Sequence, residues 1–296
     1  MPIIDEYSGS LNNTTIWARD FKTQVTPNAT QRTTLIVAGC YIIVIAILWH
    51  VPYLKEILYP FKLLTVGFHE MSHAIMGVLT CAKVHSIELD PDEGGSTSMS
   101  GGIPWLTLPA GYLGSSLIGA ILIACGFNAN ASKIASIVLA AFFLFTLWWA
   151  RKSWVTWLLI LGMAGLIILF WFVAGGIALR YLVLFIGVMS CMYVLWDITD
   201  DTIARKVNTS DATAFADICG CCPSQVWGFI WLVQAFIFFA AGVIVGLVAF
   251  KQNADQQKLD SQRFLPVPGS SAATMLSPSM LLITLAGTAL TAALSS

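Results

Sequence analysis

Long apolar stretches, separated by short polar breaks, make up most of the chain. A stretch of about 20 apolar residues is long enough to cross the hydrocarbon core of a bilayer as a helix. Such stretches predict transmembrane helices at residues 33–53, 60–82, 103–126, 134–150, 153–172, 176–198 and 226–250. The pattern therefore predicts an all-α polytopic membrane protein with about seven transmembrane helices.

Polar segments flank this predicted membrane domain, which covers residues 33–250. Residues 1–32 form a polar N-terminal segment without the early apolar core of a cleavable signal peptide, so the first transmembrane helix is expected to target the chain. Residues 251–279 form a polar linker, and residues 280–296 form an apolar tail. Two interpretations of the tail stay open: a short eighth span, or a lipid-anchor attachment signal.

The loop after the second predicted span differs in character from its surroundings. Residues 84–89 read VHSIEL, which is typical of a strand, and a Pro-Asp-Glu-Gly-Gly turn and a Ser/Thr-rich stretch follow. We predict a short β-hairpin beside the membrane. It either holds an extended substrate by adding it as a further strand or serves as a plain connection.

Composition supports the membrane assignment and excludes one class of partner. Hydrophobic residues make up 57% of the chain and charged residues only 10%, whereas a soluble domain has about 25% charged residues. Membrane lipid is therefore the expected environment. The net charge is -1, and Lys and Arg never form a run longer than a pair, so nucleic-acid binding is excluded.

N-glycosylation sequons indicate an orientation that the charged residues do not. Lys and Arg divide almost evenly between alternate loops, so the positive-inside rule gives no answer. Sequons begin at Asn12, Asn13, Asn28 and Asn208, and with seven helices all of them fall on the same side. We therefore expect a lumenal or extracellular N-terminus, in an endomembrane or plasma membrane.

A metal-binding pattern lies inside the second predicted span. His69, Glu70 and His73 are spaced as H-E-x-x-H, which puts both imidazoles on one face of a helix about one turn apart. Zn²⁺ bound by these nitrogens would have room for a third protein ligand, and Glu70 would stand beside it as a base. Ionisable residues within a membrane span are costly and mark function, which supports this interpretation.

The third ligand can be narrowed by elimination. No histidine follows His85 and no glutamate follows Glu93, so a carboxylate from a distant later helix must be an aspartate. Asp197, Asp200 and Asp201 share one helical face at the end of the sixth predicted span, which runs in the same direction as the second. Asp197 lies deepest and is the first choice; the other two are replacements, or partners that orient an imidazole.

Several runs of the sequence resemble a known family. HEMSHAIMGVLTCAKVHSIELDPDEGGSTSMSGG, followed by PAGYLGSSLIGA, is similar to the B-like branch of the site-2 protease family, especially its fungal members. LWDITDDTIARKV and NTSDATAFADICGCCPSQVWGFIW resemble the second conserved block of that branch. The resemblance covers about residues 33–250. It implies zinc on His69 and His73, Glu70 as base, an aspartate from a later helix as third ligand, and transmembrane proteins as substrates.

One departure from the family leaves the third ligand open. The better-studied site-2 proteases carry their ligand aspartate in an Asn-Pro-Asp-Gly or Leu-Asp-Gly setting, and no Asp-Gly pair occurs in this chain. Asp211, in a Ser-Asp-Ala setting, aligns with the second block of the branch and is kept as a lower-ranked candidate.

These observations together predict an intramembrane zinc metalloprotease that hydrolyses peptide bonds of membrane proteins within or next to the bilayer. The alternative is a non-catalytic, site-2-protease-like membrane scaffold or chaperone, which would need the same fold but not Glu70. Gly111, Ser115 and Gly119 recur at four-residue intervals on the third predicted span. We interpret this stripe as a surface for close helix packing.

Overall fold

The computed structural model describes residues 23–264 except for 52, 91–93, 151–152 and 204–209, and does not describe the side chains of 174–175 and 198–203. Within the described residues the α-helices and strands, in chain order, are α1 (Ala29–His50), α2 (Lys55–Leu79), β1 (Lys83–Leu89), β2 (Gly95–Ser100), α3 (Pro104–Cys125), α4 (Ala129–Ala150), α5 (Trp154–Phe172), α6 (Ile177–Ile203), α7 (Asp211–Cys219), α8 (Ser224–Ala249) and α9 (Ala254–Arg263), with a 3-10 turn at Val173–Gly176 before α6. The predicted all-α class with a short β-hairpin is confirmed.

Six of the described helices are long and apolar enough to cross a membrane: α1, α3, α4, α5, α6 and α8. They correspond to six of the seven predicted spans. The exception is α2, which contains Lys55, Glu56, Lys62 and Glu70. Every residue of α2 from 62 to 74 is buried, so the surrounding elements shield its polar groups.

Contacts between helices show that the chain enters and leaves α2 at the same end of the bundle. Helix α1 runs parallel to α6, because Thr34 contacts Arg180 near their starts and Trp49 packs on Trp196 near their ends. Helix α3 runs antiparallel to α6, because Arg180 also reaches the carbonyl of Gly126 at the end of α3. The end of α1 and the start of α3 therefore lie at the same end of the bundle. The structure thus supports six crossings rather than the predicted seven.

Small residues bring α3 into close contact with two neighbours. A Cβ atom on Gly119 would lie 2.9 Å from the carbonyl oxygen of Gly187 in α6, and one on Gly242 of α8 would lie 2.5 Å from the carbonyl oxygen of Ala120. Such distances leave room for glycine only, so the backbones approach closely as expected for small residues between membrane helices. Helix α3 is therefore held firmly in the centre of the bundle.

The hairpin packs beside α2. Strands β1 and β2 pair antiparallel from Lys83 opposite Ser100 to Leu89 opposite Gly95, with an irregularity in the register after Val84. Ile87 and Leu89 of β1 are buried, and both strands contact α2. Burial of these apolar residues fixes which face of the hairpin turns to the bundle.

A polar helix closes the opposite end of the bundle. Helix α9, within the predicted polar linker, is held by Lys133, whose Nζ donates to the carbonyl oxygens of Ser261 and Phe264 at 2.6 and 2.9 Å. Arg180 donates to Oε1 of Gln257 at 2.9 Å. These buried cations bind carbonyl and amide oxygens, which offsets part of the cost of removing them from water.

Several sequence expectations fall on residues outside this description. The polar N-terminal segment up to residue 22, the apolar tail at 280–296, and the sequons at 12, 13 and 208 are among them. Asn28 is described and caps α1, with its Oδ1 accepting from the Gln31 amide at 2.8 Å. It lies at the α9 end of the bundle, beside Lys251, whereas Ser210 lines a cleft at the other end. Residue 208 lies outside the described residues, so the expectation that the sequons share a side stays a prediction.

Candidate metal centre

The motif histidines meet on one face of α2, as their spacing predicts. Nε2 of His69 and Nε2 of His73 lie 3.0 Å apart, and the ring centroids are separated by 4.6 Å. Both residues are buried. Two nitrogen lone pairs are thus brought to one point inside the protein.

Asp211 adds a carboxylate to this pair. It is the first residue of α7, a helix capped by Ser210, and its Oδ2 lies 2.8 Å from Nε2 of His69 and 2.9 Å from Nε2 of His73. Among the described residues these three side chains form the one group whose ligand atoms lie close enough to hold a metal ion. Burial alone would raise the pKa of the Asp211 carboxyl, but the imidazoles of His73 and His69 hold it well below its usual range.

Asp197, the first choice for the third ligand, lies next to this group of three side chains. Asp197 accepts hydrogen bonds from the hydroxyls of Tyr112, at 2.5 Å, and Tyr193, at 3.0 Å. It lines the same cleft as the histidines but is not one of the three converging side chains. The side chains of Asp200 and Asp201, the alternative candidates, lie outside the described part of the structure.

The histidines are oriented in different ways. Nδ1 of His73 lies 2.7 Å from the backbone oxygen of Thr107, which only accepts, so Nδ1 carries the proton and Nε2 presents its lone pair. Nδ1 of His69 is buried and has no hydrogen-bond partner among the described residues. The ring of His69 packs edge to face against Tyr112, with centroids 4.6 Å apart.

Strand β2 holds the carboxylate of Glu70. The Thr97 hydroxyl lies 2.7 Å from Oε2 and 2.9 Å from the backbone oxygen of Glu70 and donates to them. Gly95 permits this approach, since a Cβ atom there would lie 2.7 Å from Cγ of Glu70. Sequence reasoning missed both residues, because only the folded hairpin brings them to Glu70.

Gly111 of α3 lies directly against the histidines. A Cβ atom at this position would lie 2.4 Å from Nε2 of His73 and 2.5 Å from Nε2 of His69. The stripe that the sequence analysis assigned to helix packing therefore serves two purposes. Gly119 packs against α6, and Gly111 leaves space at the converging ligand atoms.

These groups face a cleft of about 580 Å³. Its walls come from the motif face of α2, strand β2, the start of α3, the end of α6 and the start of α7. Thr97 of the hairpin and Asp197 near the end of α6 both line it, so these two elements lie at the same end of the bundle. The cleft is large enough for several residues of an extended peptide.

Comparison with known proteins gives one match. Residues 38–242 match a family model described as Peptidase M50B-like. The matched range is well over half of the 296-residue chain and includes the histidine pair, the hairpin and Asp211. No curated protein and no solved structure matches the chain.

Proposed function

Because this chain belongs to the Peptidase M50B-like family, we propose that it is an intramembrane zinc metalloprotease that hydrolyses peptide bonds of membrane proteins within or next to the bilayer. The resemblance to site-2 proteases is confirmed at the level of the family. The observation that carries the proposal is the convergence of His69, His73 and Asp211 in a cleft that also contains Glu70.

The donor set fits zinc. Two imidazole nitrogens and one carboxylate oxygen form a protein ligand set typical of catalytic zinc, with a further position left for water or substrate. Gly111 provides the space at the ligand atoms that any larger side chain would fill. We therefore propose Asp211 as the third ligand, in place of Asp197.

Glu70 is the proposed proton carrier. Bound zinc would act as a Lewis acid on the substrate carbonyl and lower the pKa of water toward about 7. Thr97 orients the Glu70 carboxylate through Oε2, so the other oxygen is available to take a proton from the attacking water. Glu70 then delivers that proton to the nitrogen of the leaving amine as the peptide C–N bond breaks.

The hairpin is the proposed binding surface for the substrate chain. A peptide bond within a helix is shielded by its own hydrogen bonds, so a transmembrane substrate must unwind before its carbonyl can be attacked. Strand β2 lines the cleft from Gly95 to Met99 beside Glu70. An unwound segment pairing with this strand would lie extended across the metal centre.

Metal removal tests the proposal. Substrates are first sought as membrane proteins that accumulate uncut in cells carrying Glu70→Gln compared with the wild type. Purified protein is expected to contain one zinc per chain, to lose cleavage of such a substrate with 1,10-phenanthroline, and to regain it with Zn²⁺. The His69→Ala/His73→Ala double variant provides the metal-free reference. Full cleavage by metal-free protein would rule out the proposed chemistry.

Gly111 offers a steric test of the same centre. Because the added Cβ atom of Gly111→Ala would lie 2.4–2.5 Å from the ligand nitrogens, we expect zinc affinity to fall by at least about 10-fold. Gly162→Ala is the matched control, since a Cβ atom there meets nothing within 4 Å. The measurement is zinc retained per chain after dialysis against a chelator. Equal retention by the two variants would contradict the proposed ligand geometry.

A further inference from the structure

The two motif histidines differ in how their rings are fixed. The His73 ring is held by a hydrogen bond from Nδ1 to the backbone oxygen of Thr107. The corresponding nitrogen of His69 is buried without a hydrogen-bond partner among the residues that the structure describes. Metal-binding histidines usually gain their orientation from such a bond. Some other contact must therefore orient His69.

Tyr112 makes such a contact with the His69 ring. Its ring packs edge to face on His69 at 4.6 Å and stacks on Trp231 at 5.0 Å, so it is enclosed between the two rings. Only 1% of the Tyr112 surface is exposed. Its hydroxyl donates to Oδ2 of Asp197 at 2.5 Å, which fixes the direction in which the ring points.

We propose that Asp197 is a positioning residue for the metal centre, which acts through Tyr112 to hold the His69 ring with Nε2 directed at His73 and Asp211. This inference rests on the proposed zinc site and extends it beyond the ligands. It also gives Asp197 a place in the site that does not require contact with the metal.

Asp197 suits this role because of its own surroundings. It lies near the end of α6, and its second oxygen accepts from the Tyr193 hydroxyl at 3.0 Å, so the carboxylate is held by two donors. A hydroxyl bound to a fixed, charged acceptor is a stronger anchor than one bound to a neutral group. Loss of the anchor would let the Tyr112 ring shift and would release His69 from its aligned position.

Zinc affinity of the full-length protein tests the inference. Removal of partners that orient metal ligands typically weakens metal binding by about 10–100-fold. We expect this loss for Tyr112→Phe, which keeps the ring but removes the hydroxyl, and for Asp197→Ala. Asp197→Asn should lose less affinity than Asp197→Ala, because its amide oxygen still accepts from Tyr112 although it carries no charge. Affinity is measured by competition for Zn²⁺ with a chromophoric chelator.

A spectroscopic measurement separates positioning from a general structural effect. The visible absorption of bound Co²⁺ reports ligand geometry, and we expect it to change in Tyr112→Phe. Tyr41→Phe is the matched control, since its hydroxyl donates to the backbone oxygen of Tyr181 in α6, away from the cleft. The control should show the wild-type affinity and spectrum.

Two outcomes would overturn the inference. Wild-type affinity and spectrum in both Tyr112→Phe and Asp197→Ala would mean that the anchor does not orient His69. Complete loss of zinc in Asp197→Asn would mean that Asp197 is itself a ligand. Failure of the proposed zinc site is distinguishable from both, because the wild-type protein would then bind no zinc at all. Failure of the protease activity alone would leave the zinc affinities and the Co²⁺ spectra as expected here.

Discussion

Replacing Glu70 with glutamine is expected to slow substrate cleavage by about 10²–10⁴-fold while zinc and the fold persist, because the amide cannot take a proton from water. The amide oxygen of glutamine still accepts from the Thr97 hydroxyl, so the contact between α2 and β2 is kept. The measurement is the cleavage rate of a substrate identified in cells, with zinc content determined on the same preparation.

Glu56→Gln is the matched control for this experiment. Glu56 lies at the start of α2, is exposed and does not line the cleft, so the same chemical change there should leave the cleavage rate unchanged. Cells carrying Glu70→Gln should accumulate the uncut substrate to the level of a strain that lacks the protein. Full function of Glu70→Gln would replace the protease proposal with the scaffold alternative, in which the fold is needed and the base is not.

Replacing Asp211 with asparagine is expected to weaken zinc binding by more than about 100-fold, the upper end of the loss caused by partners that do not touch the metal. The reason is that the amide removes the negative charge that lies within 2.9 Å of both imidazole nitrogens. Cleavage should fall with the zinc content. Metal analysis of the purified variant checks the expectation.

Asp217→Asn is the matched control for Asp211→Asn, because it removes the same charge from the same helix. Asp217 lies on α7 as Asp211 does, but it is exposed and is not among the converging side chains. Its replacement should leave zinc content and cleavage unchanged. If Asp211→Asn retained wild-type zinc, the third ligand would have to be sought elsewhere, and the aspartates at the end of α6 would return as candidates.

Local sequence patterns predicted much of this structure. Apolar stretches of bilayer length located the long helices, and the VHSIEL run with its turn located the hairpin, because both signals depend on neighbouring residues alone. The H-E-x-x-H spacing likewise placed two imidazoles on one helical face. These features do not depend on how the helices are arranged.

The choice between Asp197 and Asp211 could not be made in that way. The predicted directions of the membrane-crossing helices favoured an aspartate at the end of the sixth predicted span. In the structure the short helix α7 follows α6, and its first residue, Asp211, lies beside the histidines. The signal that favoured Asp211 was its family alignment, which does not reveal its distance to another helix.

The polarity of α2 was visible in the sequence but its consequence was not. Lys62, His69 and Glu70 made the second span unusual, and a helix that is buried along residues 62–74 tolerates them. Whether such a helix crosses the bilayer depends on which neighbours enclose it. That is a property of tertiary packing, as are the approaches of Gly95 and Gly111 to the site.

The attachment of α9 has a practical consequence for reporter fusions. Asn28 donates to the backbone oxygen of Lys251, and Gln257 donates to that of Phe127. The start of α1 and helix α9 therefore lie at the same end of the bundle, away from the cleft. An even number of crossings returns the polypeptide to the compartment from which it entered. A fluorescent or epitope label joined next to Asn28 or Phe264 therefore reports the compartment across the membrane from the one nearest the cleft.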